Sequence, residues 1–110
     1  MRTIRQLFEQ DKRVWVYLSG KAIGREFMRQ ARQEGFHWPD GKKLHPWQWF
    51  YVLGIQEDLT VWNLSLSVWK LSFRGTIEGT PLRIDYEKYR SGEENDLCEI
   101  SHFSQTGKTV

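Results

Sequence analysis

The sequence predicts an α+β domain: a mostly antiparallel sheet of about five strands, with one main helix at residues 20–34 and a short N-terminal helix. Three observations carry that expectation. The run Arg13-Val14-Trp15-Val16-Tyr17-Leu18 is β-branched and aromatic on both faces, as an interior strand is when both its sides are covered. Between Ser19, a good N-cap, and Gly35, placed for a left-handed C-cap, Ile23, Phe27 and Ala31 recur at helical spacing. Beyond residue 46 the apolar residues alternate, and no second long helical period follows.

The elements follow in order. Thr3 with Gln6 is a capping-box pattern, and Ile4, Leu7 and Phe8 give a short apolar face, so residues 4–10 read as a brief helix. After the first strand, the helix at 20–34 carries Gly20 and Gly24 on its apolar side, where missing side chains let it lie close on the sheet. Phe36-His37-Trp38 resumes extended structure. Pro39-Asp40-Gly41 is a turn with a mechanism: Pro presets φ, Asp bonds its own backbone and Gly accepts positive φ.

Residues 47–55 read as a strand, with Trp47, Trp49, Tyr51 and Leu53 on one face and Gln48, Phe50, Val52 and Gly54 on the other. Residues 56–60 reverse the chain into a hairpin. The return strand alternates Trp62, Leu64, Leu66 and Val68 before the phase switches to Trp69, Leu71 and Phe73, which signals a bulge or break near Val68-Trp69. Pro81 excludes a central position there, so residues 82–86 form a further strand at an edge. An acidic loop at 91–96 and a short strand at 97–103 complete a single domain over residues 1–103, with 104–110 a mobile tail.

Composition narrows the function. Apolar residues make up 39% and charged residues 27%, a folded rather than a disordered balance, and no apolar run approaches the ~20 residues of a membrane span. Nothing at the N-terminus reads as an export signal, so a cytoplasmic location is expected. Cys98 is the lone cysteine and cannot form an internal disulfide. Residues 1–55 hold ten Lys/Arg against five Asp/Glu, and residues 56–110 hold six against nine. The total of +2 is too small for the basic footprint of a dedicated duplex binder. Within the main helix, Lys21, Arg25, Arg29 and Arg32 fall inside roughly 80° of one another, a stripe that suits an anion as well as a solvated surface.

Catalytic signatures are missing: there is no phosphate-binding glycine loop, nucleophile elbow or His-Glu-x-x-His. Asp85 and Glu87 share a strand face and form a weak metal pair, read as solvated edge carboxylates before a hydrolase site. His37, His45 and His102 with Cys98 match no compact metal site, and general acid–base work by His37 beside Asp40 is a generic possibility. No metal and no cofactor is expected.

Six Trp, six Phe and four Tyr are the outlier. With helices assigned to one sheet face, the aromatic other face needs a ligand or a second subunit. A nucleotide-like ligand needs flat surfaces for its base, here Trp47, Trp49 and Tyr51 with Trp62 or Trp69, and cations for its phosphates, here Arg74, Arg83, Lys42 or Lys43.

The same first half, from Arg13 to Leu18 through Phe27 and Ala31 to Glu34-Gly35-Phe36-His37-Trp38-Pro39-Asp40-Gly41, resembles short, mostly uncharacterised proteins of Gram-positive bacteria, their phages and mobile elements. The resemblance covers roughly residues 1–45, with Pro39 in place of the first glycine of a Gly-Asp-Gly turn, and it implies the fold of that half and no catalytic residues. By analogy of size and context it implies a phage anti-defence protein, a homo-oligomer that sequesters a nucleotide signal. The alternative is a module that inhibits a host protein or binds single-stranded nucleic acid through the basic helix stripe.

Overall fold

The computed structural model describes residues 2–72 and 81–93. Strand β1 (Arg13–Tyr17) lies inside a four-stranded sheet with β2 (Val52–Gln56), β3 (Val61–Asn63) and β4 (Leu82–Asp85). The order is β3-β2-β1-β4, with β1–β2 and β2–β3 antiparallel and β1–β4 parallel. β4 stands at an edge, as Pro81 requires. The fold is thus α+β, but the sheet is mixed.

Side-chain alternation sends Val14 and Val16 of β1 and Leu53 and Ile55 of β2 into the main core, and Trp15 and Val52 into a second cluster on the opposite face. Helix α1 (Lys21–Gln33) covers the first face with Ile23, Phe27, Met28 and Ala31, all buried. It ends as its sequence demands: Gly35 has φ +97°, and the Phe36 N–H bonds back to the Ala31 carbonyl at 2.9 Å. At the N-terminus, the Thr3 N–H donates to Gln6 Oε1 (2.7 Å) and the Gln6 N–H to Thr3 Oγ1 (3.2 Å), the reciprocal pair of a capping box. The brief helix there is a 3-10 helix, Arg5–Glu9, which plugs Ile4 and Leu7 into the core.

Both turns form by the chemistry of their residues. Gly41 has φ +87°, and Asp40 Oδ1 accepts from the Lys42 N–H at 3.0 Å. In the β2–β3 reversal, Leu59 takes φ +71°, and Thr60 donates to Asp58 from its hydroxyl (2.6 Å) and its N–H (3.1 Å). These bonds hold the Asp58 carboxyl below the usual range.

Three expectations are corrected. Residues 47–51 are not strand. Pro46 lacks an N–H and opens a 3-10 turn, Pro46–Gln48, so the ladder starts only at Val52. The phase switch at Val68-Trp69 is the first turn of helix α2 (Leu66–Ser72), capped by Ser65: its Oγ accepts from the Val68 N–H and its carbonyl from the Trp69 N–H, both at 3.1 Å. The edge strand stops at Asp85, whose carboxylate accepts from the Glu87 N–H at 3.0 Å and starts helix α3 (Tyr86–Arg90). The described residues form a four-stranded sheet, and the further strand expected at 97–103 falls outside them.

The uncovered second face is also corrected, because α2 lies against part of it. Trp69 is 0% exposed there, in the cluster with Trp15 and Val52. The acidic loop beyond residue 93, the strand at 97–103, the tail at 104–110, Cys98 and His102 lie outside the described residues. No described helix is long and apolar enough to cross a membrane.

Candidate functional site

Residues 45–51 form an aromatic strap between the 41–44 loop and β2. Its first turn is locked at both ends. Gln48 Oε1 accepts from the His45 N–H (3.0 Å) and from Trp38 Nε1 (2.8 Å), and the Gln48 N–H returns to the His45 carbonyl (2.9 Å). At the other end the Leu18 N–H donates to the Tyr51 carbonyl at 2.8 Å, which ties the strap to the end of β1.

Within this frame Trp49 turns inward and lies over Gly24 of α1, where any side chain would collide with the indole. Its neighbours turn outward: Trp47 is 68% exposed, Tyr51 45% and Phe50 41%. His45 stacks on Trp47 with ring centroids 4.6 Å apart and planes 9° from parallel. Tyr51 meets Trp49 edge-on at 5.0 Å and Phe50 at 6.4 Å. The exposed rings are thus held by their neighbours before anything binds, which lowers the ordering cost of binding.

The predicted binding residues divide between two sides of the molecule. Trp47, Trp49, Tyr51 and Lys43 come together in and beside the strap, with Lys43 exposed and bridged through its backbone to His37. Lys42 is also exposed and meets Asp40 at 3.8 Å, a weak surface pair. Trp62 lies on the opposite sheet face, its indole over Gly54. Arg83, in register with Trp15, belongs to that same face. Trp69 is buried and offers no stacking surface in the protomer. Arg74 lies outside the described residues.

Two features escaped sequence reasoning. Phe50 and His45 join the exposed rings, and Pro46 with Gln48 three residues after His45 was the available signal for a turn rather than a strand. The second feature is the position of the basic stripe. Trp49 packs at Gly24, so the strap lies against α1, and Lys21, Arg32, Arg25 and Arg29 follow in turn roughly 60–140° round the helix from that contact, at 100° per residue.

Neither a protein-family model, nor a curated protein, nor a solved structure matches the chain. Geometry alone carries the functional reading.

Other polar groups are occupied in holding the fold. Asp85 is buried at the α3 cap, and Glu87 accepts from the Ser19 hydroxyl at 3.0 Å, so both carboxylates have partners within the fold. His37 Nδ1 is 2.8 Å from the Trp38 carbonyl, and Asp40 is engaged by its turn. Among the described residues no three His, Cys, Asp or Glu cluster as a metal site.

A groove of about 470 Å³ between α1, α3 and the N-terminus is lined by Arg2, Glu26, Arg29, Gln30, Glu34, Tyr86 and Arg90, among others. It is a seam rather than a free site. The Glu34 carboxylate accepts from the Ile4 and Arg5 N–H groups (2.8 and 2.9 Å), Gln30 bridges Glu34 and the Arg2 carbonyl (both 2.9 Å), and Arg90 pairs with Glu26. Tyr86 donates to Gln30, and burial, reinforced by the Glu34 charge, pushes its phenol up to about 12.

Proposed function

We propose that the protein is a non-catalytic binding module that takes up a nucleotide-like ligand on the 45–51 strap and holds it without turning it over. One observation carries the reading: three large aromatic side chains, Trp47, Phe50 and Tyr51, stand exposed within five residues, braced by His45 and Trp49. Clustered exposed apolar area of this kind marks a binding surface. An aromatic platform beside Lys42 and Lys43 suits a ligand that is flat at one end and anionic at the other, and each stacked base contributes about 1–3 kcal/mol. The same reading includes self-association into a homo-oligomer, with Leu66, exposed on α2, as an apolar contact away from the strap's rings. Removing a signalling nucleotide from circulation is the role that the protein's size and context suggest by analogy.

The test is native mass spectrometry of the purified protein, followed by denaturation and identification of any released small molecule, with tryptophan quenching by adenine and guanine mononucleotides in parallel. An intact nucleobase-containing ligand, or quenching that Trp47→Ala weakens by about tenfold, supports the proposal. Recovery of a cleaved ligand, or no quenching by any nucleotide, overturns it.

A further inference from the structure

The four cations of α1 are more than a mononucleotide can use. Lys21, Arg29 and Arg32 are exposed and Arg25 half-buried, and none forms an ion pair with a described residue. The acids of this region are engaged elsewhere: Glu26, beside Arg29 in the seam, pairs with Arg90, and Glu34 holds the N-terminal backbone. The stripe is therefore uncompensated. From Lys21 to Arg32 it runs about 16 Å along the helix axis at 1.5 Å per residue. The phosphates of one stacked nucleic-acid strand recur every ~3.4 Å, so a stripe of that length faces several of them. A single phosphate reaches only the end nearest its base.

The strap offers more than one ring: Trp47 and Tyr51 are both exposed, with Trp49 turned inward between them in sequence, so two bases can find separate platforms. Their segment seats on α1 where Trp49 docks at Gly24, and the cations begin roughly 60° round the helix from that contact. Bases on the rings and phosphates along the stripe describe a polymer, whose backbone keeps anions at regular intervals beside its stacked bases.

Building on the stacking reading above, we infer that the ligand of this site is a single-stranded nucleic acid of several nucleotides, its bases on Trp47 and Tyr51 and its phosphates along Lys21, Arg25, Arg29 and Arg32. The experiment titrates the full chain with thymidine monophosphate and with oligothymidylates of increasing length up to twelve nucleotides, read by tryptophan quenching at several salt concentrations. Affinity is expected to rise at least about tenfold from monomer to the longest strand. The slope of log K against log salt should be about −2 to −3, the value for three or four phosphate contacts at −0.7 each. The pair Arg25→Glu and Arg32→Glu should abolish the length gain and flatten the slope while leaving the monomer titration unchanged. A circular dichroism melt confirms that this variant is folded, and Arg25→Gln with Arg32→Gln, which should lose about half the slope, repeats the measurement without charge reversal. Equal affinity for monomer and twelve-mer, or tighter binding to a duplex of equal length, overturns the inference and leaves the stacking reading standing. No quenching by any of these probes overturns both.

Discussion

The indole of Trp49 covers the Cα of Gly24 so closely that a β-carbon built there would sit 2.6 Å from the ring. Glycine inside a helix ordinarily costs 0.5–1 kcal/mol relative to alanine, so its presence in the middle of α1 is explained by the ring it admits. Gly24→Ala is expected to destabilise the protein by about 1–3 kcal/mol, because overpacking outweighs the gain in helix propensity. Urea denaturation of Gly24→Ala in the wild-type and Trp49→Ala backgrounds checks it: with the indole removed, the same substitution should be neutral or stabilising.

A second close approach, on the opposite side of the sheet, repeats the relationship. A β-carbon on Gly54 would meet the Trp62 ring at 2.7 Å, and the two residues are register partners on β2 and β3. Gly54→Ala should cost a comparable 1–3 kcal/mol. Because the two glycines serve different faces and share no partner, the double variant Gly24→Ala with Gly54→Ala should lose the sum of the single losses to within about 0.5 kcal/mol. A larger departure in the denaturation midpoints would show that strap and hairpin are coupled.

The tryptophans should separate cleanly by stability. Trp69 is 0% exposed and packs on Trp15 and Val52, so Trp69→Ala is expected to cost about 3–5 kcal/mol. Trp47, 68% exposed, is expected to move stability by no more than about 0.5 kcal/mol on substitution by Ala. Thermal melts of the two variants decide this, and a large loss for Trp47→Ala would make that residue a packing element rather than a binding platform.

Alkaline stability should report on Tyr86. Its phenol is pushed up to about 12 from an ordinary value of 10, first by burial and then by the Glu34 charge. The folded state thus keeps a proton that the unfolded chain releases. Below pH 10 this contribution is fully present. It declines as pH rises from 10 to 12, where the unfolded chain deprotonates first. Tyr86→Phe should lose about 0.5–1.5 kcal/mol at neutral pH, since Gln30 forfeits its donor, and should show a shallower decline between pH 10 and 12. Denaturation midpoints measured across that range, relative to wild type, test both parts.

Legibility followed the range of the interactions involved. The Thr3–Gln6 box, the helix end at Gly35, the Asp40-Gly41 turn and the Gln56–Thr60 reversal were readable because each is settled within a few residues by side-chain to backbone bonds and allowed φ values. Helices α2 and α3 also start on local caps, at Ser65 and Asp85, but their apolar residues alternate well enough to pass for strands over so few positions. In the strap, Pro46 and Gln48 held the corrective signal against the strong β preference of Trp47, Trp49 and Tyr51.

The sequence by itself determined that β1 is an interior strand apolar on both faces, that a helix with an apolar and a basic flank lies between Ser19 and Gly35, although Gly20 caps it and the Ser19 hydroxyl turns to Glu87, and where the chain turns; these are matters of period and backbone conformation. Only the tertiary structure decided that β4 lies parallel to β1, that Trp69 is core while Trp47 is surface, and that the strap seats on α1 at Gly24. An aromatic ring has much the same local preferences whether it fills a core or awaits a ligand. Which of the two it does depends on what distant segments bring against it, and here a bare Cα on α1 received one indole while its neighbour in the strap stayed in water.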